Sequence, residues 1–467
     1  MKLPEHWKPL PTVKDGYVDG SQGTKLTLGW VLLHPLGFIK LALKSPRDVF
    51  RYLTRHPRMF LTGHSKRRSA GAADQKPQGT GSRSTEIELV RLFQAKKIRV
   101  FEITNPVRIG HQVGELDVWL REKRLAPADA TFSVLALSED DVANKHFWTY
   151  TRPLFDWTIS LPAWNELKRS YPELGGFAEC RYDYFHAYDE SAACFPVFAA
   201  WGERPPLFQM TAEDQEFLHR ELAEWGLGEK DWFVCLHNRE RGYSAKDDDI
   251  HDYRNAAIET YFPAIEEIVR RGGWVFRMGD PSMSPIQSSD KIIDYAHSSR
   301  RSPRLDILLC ASAKFMIGCS SGLSLVSTAF GIPVLNVNLA PISMHAYTSK
   351  DIALPKLYYS EQEGRLLRFD EAFSHPASNY RFGNLFKRDG IRVVDNDERD
   401  ILEATLEMLA KVFEEPGSAG DESSALSKRY NRLFKPGHFG YCSAGAVSPT
   451  FLKRYHHLMP ENTGPLA

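Results

Sequence analysis

The stretch DWFVCLHNRERGYSAKDDDIHDYRNAAIETYFPAIEEIVRRGGWVFRMGD, residues 231–280, decides the predicted fold. Residues 232–236 and 274–278 are short apolar runs rich in β-forming residues, a pattern typical of buried strands. Between them, apolar residues recur at helical spacing over 258–269 and stop at two glycines, with Asn255 in the predicted N-cap position. The stretch therefore predicts strand, loop, helix and a second, parallel strand, which is the repeating unit of an open α/β sheet.

Polar side chains accompany the ends of both predicted strands. His237 and Arg239 follow the first strand, and Arg277, Gly279 and Asp280 come at the end of the second. Parallel strands place their carboxyl ends on one edge of the sheet, where open α/β folds bind ligands. The sequence therefore predicts a ligand site at this edge that receives two arginines.

A hydroxyl-rich turn, Cys319-Ser320-Ser321-Gly322, lies between a predicted strand over 314–318 and a predicted helix. Backbone N–H groups and serine hydroxyls at a helix start favour a phosphate, and the helix dipole adds to this preference. Plain N-capping by one of the serines is the alternative. The combination of this turn with Arg239 and Arg277 on one sheet edge favours a diphosphate site, because a diphosphate needs several bidentate and backbone donors.

The composition indicates a large chain without a dominant charge. Its 467 residues are enough for two or more domains, and the 59 Lys and Arg equal the 59 Asp and Glu. No global field therefore attracts nucleic acid. Six cysteines without zinc or disulfide spacing favour reduced, buried thiols and a cytoplasmic protein. The sequence predicts neither a secretory signal nor a membrane-spanning helix, and no early GxGxxG motif favours dinucleotide oxidoreduction.

Residues 1–60 form a predicted N-terminal extension. Residues 26–43 are strongly apolar, and the arginines that follow at spacings of three and four predict a basic amphipathic helix. These two features favour attachment to the inner face of the cytoplasmic membrane. An ordinary core helix with a basic solvent face is the alternative. Residues 61–85 lack an apolar period and predict a flexible linker or insertion.

A second α/β pattern begins at residue 86. A predicted strand over 98–103 leads into the turn Arg108-Ile109-Gly110-His111 and an amphipathic helix, and another strand follows over 132–137. A helix start with a glycine favours a polar or anionic ligand. A loop arginine paired with a carboxylate and a packed histidine are the alternative.

These patterns predict two domains and a tail. The first domain covers residues 86–225 and the second 226–415, with a helix over 398–412. A polar linker is predicted over 414–427. Residues 416–467 are predicted to pack back on the first domain.

Several motifs together resemble those of a family of bacterial surface-polysaccharide glycosyltransferases. They are RIGH (108–111), VCLHNRERGY (234–243), YRN (253–255), RMGD (277–280), IGCSSGLSLVSTAFGIP (317–333) and LPKLYY (354–359). The HxR strand end and the Ser-Ser helix start are also distantly similar to GT-B fucosyltransferases. The resemblance implies an α/β protein of the GT-B class, with two Rossmann-like domains facing a cleft. It implies a glycan acceptor, which includes lipid-linked glycans, on the first domain, a nucleotide-sugar donor on the second and no metal or other cofactor.

The resemblance also implies residues of the donor site: His237 and Arg239 near the diphosphate, Asp280 near the nucleoside, and Ser320, Ser321 and Gly322 at the phosphates. The other predicted donor-binding residues are Tyr243, Arg254, Asn255, Arg277 and Gly279. In fucosyltransferases another arginine and an acidic residue usually follow the HxR motif, whereas Glu240-Arg241-Gly242 follows it here. This departure argues against GDP-fucose and leaves the nucleotide base open, other GDP-sugars included.

Glycosyl transfer needs positive groups for the leaving nucleotide and a base for the acceptor hydroxyl. Arg239, Arg277 and the serine turn are the predicted leaving-group donors. His111, followed by Glu115 and Asp117, is the first candidate for the base, with a structural histidine as the alternative.

Three other hypotheses follow from the sequence. Asp247-Asp248-Asp249 contains a DxD that could bind a divalent cation, but a solvated acidic loop is the favoured interpretation. A non-catalytic nucleotide-sugar-binding or scaffold protein of a polysaccharide assembly complex would keep the donor turn and need no base. A sugar-nucleotide epimerase or hydrolase would form product without an acceptor.

Overall fold

The computed structural model describes residues 83–126, 132–179, 194–242, 250–414 and 421–460. Helices and strands are numbered along this part of the chain. The predicted N-terminal extension, the linker up to residue 82, Tyr243 and the acidic run at 247–249 lie outside the described residues. The predicted linker 61–85 is too long at its end, because a helix begins at Arg83.

Four parallel strands form a small sheet within the described residues, in the order β3-β2-β1-β4. They are β1 (Ile98–Phe101), β2 (Phe132–Ala136), β3 (Trp157–Ile159) and β4 (Ala178–Glu179). The helices in this part of the chain are α1 (Arg83–Ala95), α2 (Ile109–Leu125), α3 (Lys145–Thr151) and α4 (Leu161–Ser170). Phe93 of α1, Val100 and Val134 of the sheet and Trp164 of α4 belong to one buried apolar cluster.

Seven parallel strands form a large sheet in the described ranges, in the order β14-β10-β9-β8-β5-β6-β7. They are β5 (Phe233–Leu236), β6 (Trp274–Arg277), β7 (Ile292–Ile293), β8 (Phe315–Gly318), β9 (Val334–Leu339), β10 (Ile352–Pro355) and β14 (Ala446–Val447). Every residue of β5, β6, β8 and β9 is buried, as expected for parallel strands covered on both faces. The predicted strand-helix-strand stretch is confirmed, since β5 and β6 are joined through a helix over Phe262–Arg270.

Helices accompany the large sheet along the chain. They are α5 (Cys194–Trp201), α6 (Ala212–Glu224), α7 (Phe262–Arg270), α8 (Pro303–Ser312), α9 (Gly322–Ala329), α10 (Phe369–Ser374), α11 (Gly383–Arg388), α12 (Glu398–Val412), α13 (Asp421–Asn431) and α14 (Pro449–Arg454). A separate antiparallel sheet, in the order β12-β11-β13, contains β11 (Leu357–Ser360), β12 (Arg365–Leu366) and β13 (Ile391–Val394).

The predicted N-cap at Asn255 is wrong. The side-chain oxygen of Asn255 accepts a hydrogen bond from Arg239 Nε at 3.2 Å instead of capping a helix. A 3-10 turn over Ile258–Tyr261 comes next, and α7 begins at Phe262 with Pro263 in its first turn. Proline suits this position because its fixed φ fits the helix and its missing N–H has no helical partner to lose.

Two compact units divide the described residues. One contains the small sheet, residues 83–107 and 122–179, and the other contains residues 108–121 and the described residues of 194–460. Residues 194–225 are predicted to belong to the first domain, whereas α6 packs on α8 of the large-sheet unit and its Asp214 pairs with Arg304 at 2.7 Å. The start of α2 belongs to the large-sheet unit as well.

The tail of the chain packs within the large-sheet unit. Strand β14 pairs with β10, and Arg454 of α14 forms ion pairs with Asp397 and Asp400 at the start of α12. The sequence predicts packing on the first domain, whereas these contacts are with residues 352–400. The predicted polar linker 414–427 is partly wrong, because α13 begins at Asp421. Its Tyr430 packs against Phe369 and Phe373 of α10.

Among the described residues, no helix has the length and apolarity needed to cross a membrane.

Candidate functional site

A pocket opens at the carboxyl ends of β8 and β9 in the large-sheet unit. Its volume is about 760 Å³ when the space at the open mouth is included, and all of its lining residues belong to that one unit. The lining brings together residues of both predicted turns and of the YRN motif, among them Gly110, His111, Arg254, Ser320, Ser321 and Gly322. The predicted ligand edge of the large sheet therefore carries a cavity where the serine turn predicts one.

Two helix starts meet at this pocket. A Cβ atom on Gly322 would lie 2.5 Å from the backbone nitrogen of Gly110, and one on Gly110 would lie 2.9 Å from the Cα of Gly322. Helices α2 and α9 thus begin in backbone contact, which only glycine permits at both positions. Helix N-termini carry partial positive charge and free N–H groups. Their convergence favours an anion in the pocket.

The serine turn uses its two hydroxyls differently. Ser320 Oγ donates to the carbonyl oxygen of Ala340 at 3.1 Å and accepts from the backbone N–H of Ala340 at 3.2 Å. These bonds tie the start of α9 to the end of β9. Ser321 occupies the N-cap position in extended conformation, but its side chain makes no capping hydrogen bond. Plain N-capping therefore does not account for either serine hydroxyl.

Arginines add full positive charge to the pocket. Arg254 and Arg381 both line it. Arg254 Nη2 donates to the backbone carbonyl of Ser320, which holds this guanidinium against the serine turn. Within the described part of the chain, its buried Nε has no hydrogen-bond partner. Arg254 is therefore an anchored cation with one N–H still to be satisfied.

His111 and Glu115 form a pair on the first turns of α2. His111 is 4% exposed and lines the pocket, and its Nδ1 lies 2.5 Å from Oε1 of Glu115. When the carboxylate accepts a hydrogen bond from Nδ1, the neutral imidazole keeps its proton there and Nε2 is the basic nitrogen. This is the arrangement in which a carboxylate orients a histidine base.

Asp117, the third predicted base, has a different environment. It does not line the pocket, and its Oδ1 accepts a hydrogen bond from Arg121 Nε at 2.9 Å. The Arg121 guanidinium also lies 5.0 Å from the ring centres of both Phe198 and Trp201. Burial raises the pKa of Asp117 from 3.8 to about 6, although Arg121 acts to lower it. These contacts give Asp117 a structural role in anchoring α2 to α5, and its role as a base stays a prediction.

Residues at the ends of β5 and β6 lie outside the pocket lining. His237 Nδ1 is 3.2 Å from the carbonyl oxygen of Met278, and burial lowers the pKa of His237 from 6.5 to about 4, so it is neutral at pH 7. Arg239 and Asn255 hydrogen-bond to each other at 3.2 Å. Asp280 Oδ1 accepts the backbone N–H of Ser282 at 2.9 Å and so closes its own turn. The structure brings these residues to the predicted sheet edge but not into the pocket.

Two predicted donor residues in β6 and its turn have structural partners. The side chain of Arg277 is fully buried, with Nη2 donating to Glu240 at 2.8 Å and Nη1 lying 3.6 Å from Asp294. It does not line the pocket, and its assignment as a phosphate donor stays a prediction. Gly279 has a φ of +147°, and a Cβ there would meet Met283 Sδ at 2.1 Å. The backbone turn and the nearby Met283 therefore explain why residue 279 is a glycine, without a ligand.

Several pocket residues escaped the sequence analysis. They are Tyr253, Asn336, Met344, His345, Tyr347, Arg381 and Phe439. Asn336 carried a usable signal, since the buried strand VLNVNL contains two amides, Asn336 and Asn338, and buried polar groups need a partner. Tyr253 belongs to the YRN motif, but only Arg254 and Asn255 of that motif are predicted to bind the donor. The others lie in segments without a period or motif.

His345 is a buried, neutral lining residue. Its Nε2 donates to Asn431 Oδ1 at 2.9 Å, and its Nδ1 accepts the backbone N–H of Ala346 at 2.8 Å. Burial lowers its pKa from 6.5 to about 4. Because both ring nitrogens are already used, His345 shapes the pocket wall and is a poor candidate for proton transfer.

Within the described ranges, no three His, Cys, Asp or Glu side chains gather in a way that could hold a metal ion.

No protein-family model and no curated protein matches the chain. Three solved structures are similar to it at low identity. The glycosyl transferase family 9 protein from Veillonella parvula DSM 2008 is 13% identical, with 68% of this chain and 97% of that chain covered and a TM-score of 0.42. The dodecameric iron-containing heptosyltransferase TibC in complex with ADP-D-beta-D-heptose is 13% identical, with 69% and 78% covered and a TM-score of 0.35. The E. coli heptosyltransferase WaaC with ADP is 12% identical, with 55% and 90% covered and a TM-score of 0.30. These similarities are too distant to transfer a substrate or a site residue to this chain.

Proposed function

We propose that the protein is a metal-independent glycosyltransferase of the GT-B type. It moves a sugar from a nucleotide-sugar donor to a growing cell-surface polysaccharide or a related glycan. The observation that carries this proposal is the meeting of two helix starts and an anchored arginine in one pocket at the carboxyl edge of a parallel sheet.

The pocket offers what a diphosphate requires. The N–H groups at the starts of α2 and α9 supply fixed dipoles, and Arg254 and Arg381 supply charge. These donors come from separate chain segments that are held together by the Gly110 and Gly322 contact and by the bond from Arg254 to Ser320. A preorganised set of donors stabilises negative charge without reorganising during reaction.

The same donors suit the chemistry of transfer. A bond forms between the acceptor oxygen and the anomeric carbon, and the bond from that carbon to the donor phosphate oxygen breaks with its electron pair. The leaving diphosphate gains negative charge, which Arg254 and the helix starts stabilise. The proton of the acceptor hydroxyl passes to His111, whose imidazole is oriented by Glu115. Arg239 is assigned no direct contact in this scheme, since it lies outside the pocket lining.

Calorimetric titration tests the diphosphate site. The ligands are ADP, GDP, UDP, TDP and CDP, each with and without EDTA; ADP is included because two of the solved structures named above contain ADP or ADP-heptose. We expect one or more of them to bind without a metal. Arg254→Ala should weaken this binding by one to two orders of magnitude, about 1.5 to 3 kcal/mol, as for a hydrogen bond to a charged group.

Arg270→Ala is the matched control, because Arg270 is an exposed arginine in the same unit that pairs with Glu267. It should bind the diphosphates like the wild type. Absence of binding by the wild type, or full binding by Arg254→Ala, would overturn the assignment of this pocket as the donor site.

A further inference from the structure

Asn336 is the buried amide in the wall of the pocket. It lies on β9 and is 2% exposed. The residue lines the pocket, and in the described structure its Nδ2 has no hydrogen-bond partner. A buried N–H that remains unpaired is destabilising, so a protein keeps one where something else satisfies it.

The surroundings of Asn336 leave room for its side chain. Its register partners on the adjacent strands are Gly318 and Ala353, which have no side chain beyond a methyl group. Paired residues of neighbouring strands point to the same face of a sheet. Ser324 of α9 lies on this face, because a Cβ on Gly318 would meet its Oγ at 2.2 Å. Asn336 therefore lies on the face of the sheet that α9 covers.

Other polar side chains of this wall are already engaged. Ser324 Oγ donates to the carbonyl of Cys319 at 3.2 Å, and Ser320 Oγ exchanges hydrogen bonds with Ala340. His345 uses both ring nitrogens within the protein. The lining also contains apolar residues, among them Leu325, Leu339 and Met344. The amide of Asn336 is thus a neutral donor in the same pocket as the charged donors.

We infer that Asn336 is a specificity-determining residue that donates a hydrogen bond to an uncharged acceptor group of the donor substrate. This inference rests on the proposed nucleotide-sugar site. The acceptor is a sugar hydroxyl or a carbonyl or ring nitrogen of the base, since a neutral amide suits an uncharged acceptor, while Arg254 and Arg381 of the same pocket supply the charge for phosphates. Arg254 and the helix starts hold the diphosphate, and Asn336 reads the neutral group attached to it.

The test compares Asn336→Leu with the wild type by calorimetry, using three probes. They are inorganic pyrophosphate, the nucleoside diphosphate that the wild type binds best, and the glucose conjugate of that nucleotide. Pyrophosphate binding should not change, because pyrophosphate has no neutral group. Binding of at least one nucleotide probe should weaken about tenfold, the usual effect of one lost hydrogen bond. Weaker binding of the nucleoside diphosphate would identify the base or the ribose as the group that Asn336 contacts. Weaker binding of the glucose conjugate alone would identify the sugar.

A stability measurement separates this role from a structural one. Asn336→Leu removes an unpaired polar group and should leave the melting midpoint of the ligand-free protein equal or higher. The contrast is Asn338→Ala on the same strand, which removes bonds to Tyr261 and Asn396 and should lower the midpoint without changing the affinities. Asn336→Ala replaces the leucine variant if that variant does not fold.

The outcomes distinguish the two proposals. Unchanged affinity of the Asn336 variants for all three probes overturns the inference alone, provided that Arg254→Ala still loses binding. Equal weakening for pyrophosphate and both nucleotides also overturns it, because the effect would then be on the phosphate site. A wild-type protein that binds none of the probes overturns both proposals.

Discussion

His111 and Glu115 lie one helical turn apart at the start of α2, with His111 on the pocket and Glu115 behind it. A carboxylate in that position fixes the tautomer and the orientation of the ring, so that Nε2 can take a proton. If His111 is the base, His111→Gln should lower the turnover of a nucleotide sugar with a glycan acceptor by about 10²- to 10⁴-fold. Release of the nucleoside diphosphate measures this turnover.

The affinity for the nucleoside diphosphate should stay within about twofold in His111→Gln, because the base acts on the acceptor and not on the leaving group. Glu115→Gln should show a smaller loss, since it changes only the partner that orients the ring. The control is His219→Gln, a histidine on the exposed side of α6. Full turnover by His111→Gln would remove His111 as the base and assign the acceptor proton to another group.

Gly110 and Gly322 allow the starts of helices α2 and α9 to pack in backbone contact. A methyl group on Gly322 would lie 2.5 Å from the nitrogen and 2.8 Å from the Cα of Gly110, both of them backbone atoms that cannot rotate away. Alanine favours helix by about 1 kcal/mol over glycine, so the clash must outweigh that gain. We expect Gly322→Ala to lower the free energy of unfolding by about 1 to 3 kcal/mol and to weaken pyrophosphate binding.

Gly110→Ala should behave in the same way. The double variant should lose less unfolding free energy than the sum of the two single losses, because the helices separate only once. Gly176→Ala is the control, since a Cβ at that position meets nothing within 4 Å. Chemical denaturation and calorimetry of the four variants measure both effects. Additive losses, or an unchanged affinity for pyrophosphate, would argue against a shared anion site at the two helix starts.

The elements also show where sequence interpretation succeeds. Strands β5, β6, β8 and β9 are uniformly buried, so their sequences are short apolar runs that stand out from the loops. Helix α12 begins with a capping box formed by Asp397 and Asp400, which marks its start in the sequence. Helix α13 has few apolar residues, and its Tyr430 finds its partners on α10, so a local pattern could not separate it from a linker.

In the whole molecule, the sequence does not reveal which of the predicted site residues lie in the same pocket. The sequence correctly places His237, Arg239 and Arg277 at the carboxyl edge of one sheet, but an edge has room for several sites. Arg277 is buried and pairs with Glu240 and Asp294, which belong to other segments of the chain. A sequence spacing cannot predict this pairing. The pocket instead forms beside β8 and β9, where α2 arrives from a distant part of the chain. Long-range packing thus decides which of these residues share a pocket, and a local sequence pattern does not contain that information.

Hydrogen exchange can distinguish the two locations on this edge across the whole protein. All residues that line the pocket belong to the large-sheet unit. A saturating nucleoside diphosphate should therefore slow exchange in peptides that cover 108–121, 253–254, 319–325 and 336–347, because ordering around a ligand suppresses local opening. The stabilisation amounts to about 2.7 kcal/mol at a hundredfold excess of ligand over its Kd.

Peptides from residues 83–107 and 132–179 should change much less, because none of their residues lines the pocket. Arg254→Ala at the same ligand concentration supplies the control, since protection that reflects binding in the pocket should diminish with it. Protection confined to 233–242 and 277–284 would instead place the diphosphate beside Arg239 and Asp280. That result would restore the site at the ends of β5 and β6 and leave the pocket for another part of the substrate.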